Sequence, residues 1–268
     1  MAHLQNETDI VYDSLEMLKH ATQNTPYEAA AKELLAKLPP HSQIVDLGCG
    51  FGETSIVLAL AGHTVHSVEP ALNRSKALAK SLNNLGLTGH VHVCTAEDLD
   101  KIPIKNLDGA LFFSSLHHCD DPLNALKKTK CALGSKGVIV VVEPILRFYR
   151  TKKWYDQQLS KNPVKMGNYG GNEHIYYFKE YYNMLKEAGF SRVDFEWAGR
   201  KVDIRKVLIR DLGSKINGSS QHTILRCLIK YLVFSAVQKM CANKFLNKLL
   251  IKPLVKISLI QASFIAFV

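Results

Sequence analysis

VDLGCGFGETS, residues 45–55, sets the reading of this chain. The apolar run QIVDLGC stops abruptly at Gly48, Gly50 and Gly52, and ETSIVLALA (53–61) follows at once with the composition of a helix. A short, all-apolar run of this kind suits a strand buried on both faces of a parallel sheet. Glycines at its carboxyl end let the backbone turn sharply and bring bare main chain against a ligand. The helix start beyond them offers amide hydrogens and the positive end of a dipole.

The pattern continues outward in both directions. PYEAAAKELLAKL (26–38) reads as a helix that opens on Pro26 and ends before Pro39-Pro40. Downstream, 63–68 is a second strand ended by Glu69-Pro70, and ALNRSKALAKSLNNLG (71–86) is a helix stopped near Gly86. HVHVCTA (90–96), LDGALFFSS (107–115) and GVIVVVE (137–143) are the third to fifth strands, with the helix PLNALKKTKCAL between the last two. FKEYYNMLKEAGF (178–190) is a further helix and SRVDFEW (191–197) a sixth strand. Strands alternating with helices at this spacing predict an α/β, Rossmann-like, doubly wound and mostly parallel sheet. The expected organisation is an N-terminal helical segment (1–40), a ligand-binding domain (41–200) and a basic, apolar helical segment (201–268).

Seventeen residues after Gly52, Glu69 ends the second strand, where a carboxylate can accept both ribose hydroxyls of an adenosine-containing ligand. A dinucleotide fingerprint needs glycine three positions after Gly50, but Glu53 stands there and would repel a pyrophosphate. A structural turn is the other reading of the glycines alone. The spacing Asp46-x-Gly48-x-Gly50-x-Gly52 suits a ligand without phosphates.

The segment resembles the D/E-x-G-x-G-x-G motif of class I S-adenosylmethionine (SAM)-dependent methyltransferases. TAEDL (95–99) resembles the family's D-A-E-x-L-P segment beside the adenine. DGALFFSSLHHCDDP (108–122) resembles its fourth-strand pattern in small-molecule methyltransferases of quinone and sugar pathways, and KGVIVVVEP (136–144) and LKEAGF (185–190) match later elements. The resemblance spans about 25–200. It implies SAM as cofactor, with Asp46, Gly48, Cys49, Gly50, Gly52, Glu69, Pro70, Ala96, Glu97 and Ser114 around it, and methyl transfer to a small-molecule or lipid-linked acceptor, through oxygen in the reading preferred here. Thr95 stands where the family often has Asp, so the adenine amine is expected at Glu97 or Asp98, and no L-P-F follows Leu99. The family's seventh strand is sought in KVDIRKVLIR (201–210), a poor and heavily charged match.

Candidate catalytic residues are His117 and His118, after the fourth strand, and His174 in GGNEHIYYF (170–178). The pair stands at the strand edge where open α/β sheets bind ligands. His174 belongs to a long insert (about 145–175) where the family carries a lid over the acceptor. Each has a competing structural role, in loop stabilisation, helix capping or lid packing.

The chain has 268 residues and a net charge of +10. Twelve of its 34 Lys and Arg lie in 201–268 against two of its 24 acids, so the excess sits wholly in that segment. HTILRCLIKYLVFSAVQKM (222–240) and LLIKPLVKISLIQASFIAFV (249–268) combine lysines with wide apolar faces. Docking to an anionic membrane surface is expected for 222–268, against packing onto the core or a second subunit. Nucleic acid is a weaker partner: the tail is too greasy for a solvated phosphate-binding surface, and no N/D-P-P-Y motif is present. The rivals are thus a non-catalytic SAM-fold scaffold and an RNA methyltransferase. Six cysteines without a CxxC pair read as free thiols and predict neither disulfide nor metal. MAHLQNETDI has no signal-peptide pattern, so a cytoplasmic chain, peripheral at most to a membrane, is expected.

Overall fold

The computed structural model describes residues 10–147, 149–161, 172–197, individual helical positions between 232 and 252, and 262–268. The strands are β1 (Gln43–Leu47), β2 (Thr64–Val68), β3 (Gly89–His92), β4 (Leu107–Phe113), β5 (Leu133–Val142), β6 (Arg192–Trp197) and β7 (Ala262–Phe267). The helices are α1 (Leu15–Thr22), α2 (Pro26–Leu35), α3 (Glu53–Leu60), α4 (Leu72–Asn84), α5 (Pro122–Ala132), α6 (Lys152–Leu159) and α7 (Phe178–Glu187).

One sheet holds all seven strands in the order β3-β2-β1-β4-β5-β7-β6. The first five are parallel, while β7 runs antiparallel between β5 and β6. Alternation along each strand builds two cores. Val45, Leu47, Ala110, Phe112, Ile139 and Val141 meet Leu126, Tyr181 and Leu185 of α5 and α7 on one face. Ile44, Val65, Leu111, Val138 and Val140 meet Ala31, Leu34 and Leu58 of α2 and α3 on the other. Burial on both faces is why these strands read as continuous apolar runs.

The sequence reading placed no helix at α6 and gave α1 no bounds within the N-terminal helical segment. Their start signals were present: Ser14 Oγ accepts from Met17 N at 3.2 Å, and Thr151 Oγ1 from Trp154 N at 3.1 Å. The third strand is shorter than expected, because Ala96–Lys101 forms a 3₁₀ turn.

The tail needs the main correction. With its lysines and wide apolar faces, 249–268 is expected from sequence to be a helical segment docked on an anionic membrane surface. Ser263 instead lies buried in β7, where Phe264 and Ala266 join one core and Ile265 the other. SFIAF is apolar on both faces because it is an interior strand. The ligand-binding sheet therefore does not close at residue 200, and its seventh strand is Ala262–Phe267. KVDIRKVLIR (201–210) and most of 222–240 lie outside the described residues. No described helix is long and apolar enough to cross a membrane.

Candidate active site

The carboxyl ends of parallel strands share one edge of the sheet, and β1, β2, β3, β4 and β5 deliver the site there. After β1, Gly48, Gly50 and Gly52 all have positive φ, at 68°, 60° and 90°. Their reasons differ. A Cβ on Gly48 would stand 2.5 Å from Ser115 Cβ, and one on Gly52 2.1 Å from Leu78 Cδ1. A Cβ on Gly50 would meet no atom within 4 Å. Gly48 and Gly52 are thus packing positions, whereas Gly50 leaves an open cradle on the loop.

Asp46 is almost fully buried, and its Oδ2 accepts from Thr54 Oγ1 at 2.5 Å and Ser55 Oγ at 2.7 Å. Desolvation lifts its carboxyl from 3.8 to about 6, against the lowering effect of the two hydroxyls. Glu69, also buried, ties the loops together: Oε2 accepts from Gly50 N at 2.9 Å and Oε1 from Ala71 N at 3.0 Å. Each carboxylate oxygen keeps acceptor capacity beyond those bonds, so the open Gly50 backbone beside Glu69 fits a ribose-bearing cofactor. Cys49 points its thiol into the core with Tyr12 and Leu78, and burial raises its pKa. Pro70 is exposed directly after Glu69, Ala96 is buried after β3, and Glu97 Oε1 accepts from Asp121 N at 3.3 Å. That last bond draws Glu97 toward the start of α5. Tyr12 adds a contact not foreseen from sequence, donating through its hydroxyl to Glu53 Oε1 at 2.8 Å.

The turn after β4 carries the histidines. Ser114, at φ 52°, starts it, and Ser115 Oγ donates to Leu47 O at 2.6 Å, locking this turn to the glycine loop. Glu143, which ends β5 with no exposed surface, organises the rest. Its Oε1 accepts from Ser115 N and Leu116 N, both at 2.9 Å, and its Oε2 stands 2.5 Å from His117 Nδ1. From the insert, Glu173 Oε2 lies 3.3 Å from His118 Nδ1 and 3.9 Å from His117 Nε2. Tyr155 on α6 donates to Glu173 Oε1 at 2.7 Å. His118 Nδ1 donates to Asn172 O at 2.7 Å, and burial pushes its pKa down, with His117 adding to the effect.

The structure thus brings His117 and His118 together with Glu143 and Glu173, two acids the sequence reading did not single out. Glu143 had a legible signal, an acid closing an all-apolar strand, as Glu69 closes β2. Glu173 had none, because its place depends on how the insert folds back. His174 joins only through its backbone, donating to His117 O at 3.1 Å, while its side chain is exposed. The four cysteines among the described residues are free thiols.

Comparison with known proteins identifies the family and the fold. The profile of a methyltransferase domain family matches residues 18–194. Geranyl diphosphate C-methyltransferase from Streptomyces coelicolor is similar in fold, with a TM-score of 0.57 and 14% identity over 89% of this chain and 78% of that one. The cyclase SpnF gives 0.57 and 15% over 91% and 80%. A 1,6-didemethyltoxoflavin N1-methyltransferase from Burkholderia thailandensis gives 0.50 and 18% over 67% and 73%. No curated protein matches by sequence. A cyclase on the same fold shows that architecture alone does not choose the reaction. With the family profile spanning 177 residues and the sheet order complete, the chain belongs to the class I SAM-dependent methyltransferases of the methyltransferase domain family.

Proposed function

We propose that this enzyme transfers the methyl group of SAM to an oxygen of a small-molecule acceptor. The observation that carries this reading is the His117–His118–Glu143–Glu173 cluster, joined to the glycine loop through Ser115. SAM, when bound, supplies an electrophilic methyl group on a sulfonium. Gly48, Gly50 and Gly52 shape its cradle, Glu69 accepts from its ribose, and Asp46 favours its ammonium. Cys49 and Pro70 contribute backbone, Ala96 and Glu97 flank the adenine, and Ser114 borders the methyl end. The acceptor's lone pair forms a bond to the methyl carbon as the carbon–sulfur bond breaks, and the acceptor's proton leaves toward the cluster. Carbon and nitrogen acceptors are named for the two methyltransferases compared above; the buried histidines and glutamates favour a hydroxyl here, since that nucleophile gains most from losing a proton.

The test is release of S-adenosylhomocysteine over a panel of phenol and alcohol acceptors. His118→Ala should lower turnover about 10²-fold or more with SAM affinity unchanged. His174→Ala, whose side chain is exposed, should lose much less. Normal turnover in the His118 variant would remove the cluster from the chemistry.

Asp46 gives a second expectation. Its folded-state pKa is raised to about 6, so below that pH the carboxyl is protonated and no longer attracts the cofactor's ammonium. Affinity for SAM is lost as pH falls through 6, by about tenfold between pH 7 and pH 5. Calorimetry should show this slope in the parent chain and not in Asp46→Asn. Identical slopes in both would remove Asp46 from the ammonium site.

Exposed Leu232, Leu249 and Leu250 in the basic segment support a lipid-linked form of the acceptor. Full-length protein should then sediment with anionic vesicles, in part reversibly by salt. Protein left wholly in the supernatant would reject that form.

A further inference from the structure

Resting on the acceptor side assigned above, we propose that His117, His118 and Glu173 hold one divalent first-row transition-metal ion that takes an oxygen of the acceptor as a further ligand. One ring nitrogen of each histidine and one oxygen of Glu173 all lie within 4.8 Å of one another. Glu173 Oε2 lies 3.9 Å from His117 Nε2 and 3.3 Å from His118 Nδ1, so His118 ligates through Nδ1 by giving up its bond to Asn172 O. Donors bound at about 2.0–2.1 Å in a tetrahedron stand roughly 3.3 Å apart. The cluster therefore closes on an ion by side-chain adjustment that includes release of Asn172 O by His118.

The outer shell is already in place. Glu143 Oε2 accepts from His117 Nδ1, so the lone pair of the neutral ring lies on Nε2, the nitrogen nearer Glu173. Tyr155 holds Glu173 by Oε1, which leaves Oε2 on the histidine side. A carboxylate behind a ligating histidine and a hydroxyl behind a ligating carboxylate are the usual supports of a metal centre. Glu143 and Glu173 are 0% and 6% exposed, and a divalent cation matches the charge of two such carboxylates. Two imidazoles with one carboxylate favour zinc or iron over magnesium. Three protein ligands leave a coordination position open, as in catalytic rather than structural sites.

That open position gives the ion its work. A hydroxyl bound there releases its proton to water more readily. The oxygen's lone pair then forms the new bond to the methyl carbon, and the carbon–sulfur bond of the cofactor breaks. Among the described residues a further histidine group lies on the sheet, where His66 Nδ1 is 3.2 Å from His92 Nε2 beside His90.

The experiment titrates chelator-treated full-length protein with Zn²⁺ by calorimetry and with Co²⁺ by visible d–d absorption, with no acceptor present. One ion per chain should bind. Glu173→Gln and His117→Ala should abolish saturable binding, and Glu143→Gln should weaken it about 10–100-fold, with circular dichroism melts and SAM binding retained. The double variant His90→Ala/His92→Ala should keep the full stoichiometry. Absence of saturable binding overturns the site, as does binding lost in the His90/His92 variant but kept in Glu173→Gln. Protein that binds no ion yet methylates an acceptor in a His118-dependent way overturns the metal and leaves the methyl-transfer reading standing. Protein that binds one ion through Glu173 but methylates nothing supports the site and fails that reading.

Discussion

A chain ending at Gln261 should fail to fold into a SAM-binding protein, although it keeps the whole glycine loop and every candidate site residue. β7 is the strand between β5 and β6, registered with Val138–Val142 on one side and Arg192–Trp197 on the other. Its removal unburies Phe264 and Ile265, which are 0% and 2% exposed. Each side chain of that kind contributes roughly 1.5–3 kcal/mol on burial. The ladder hydrogen bonds on both edges add about 0.5–1.5 kcal/mol apiece. Against a total stability of about 5–15 kcal/mol, that loss is decisive. Phe264→Ala in the full chain gives a graded form of the same result, about 3–5 kcal/mol. A truncated chain that melts cooperatively at the parent temperature, by circular dichroism, would show that β7 is dispensable.

The second large effect separates two glycines of one motif. Gly52→Val should destabilise the protein severely, because the left-handed backbone costs about 1–3 kcal/mol for a branched residue and the side chain collides with Leu78. Overpacking of this kind costs about 1–3 kcal/mol more. Leu78→Ala should recover part of the packing loss in a Gly52→Ala background. Gly50→Val faces the same backbone strain but no collision, so it should remain folded. Its branched side chain instead fills the open side of the loop, and SAM affinity should fall about 10²-fold or more, past roughly 2.7 kcal/mol. Calorimetry and melting curves on both variants check this together. If the Gly50 variant binds SAM normally, the cradle assigned to the cofactor is elsewhere. A Gly52 variant as stable as the parent would show that Leu78 yields freely.

These two cases mark where the sequence was legible. Each parallel strand announced itself because burial on both faces demands an unbroken apolar run, and Glu69 stood out as an acid ending such a run. Glu143 obeys the same rule at the end of β5, but its bond to His117 depends on how β4 and β5 pair. β7 carried an equally apolar pattern, but SFIAF begins 66 residues after Trp197. A short apolar run cannot say whether it lies on a membrane or inside a sheet; only a strand pair with a gap between them decides that.

The order of elements, the glycine turn, the ribose acid and the family were thus determined by local sequence, because each depends on periodicity, a backbone conformation or a residue next to its own strand end. The tertiary structure decided what depends on distant segments meeting. It placed β7 between β5 and β6, distinguished Gly50 from Gly48 and Gly52 by what a Cβ would touch, and set Glu173 against His118 from 55 residues away. Such pairings are chosen by the packing of the whole sheet and the return of the insert across it, which no window of sequence contains.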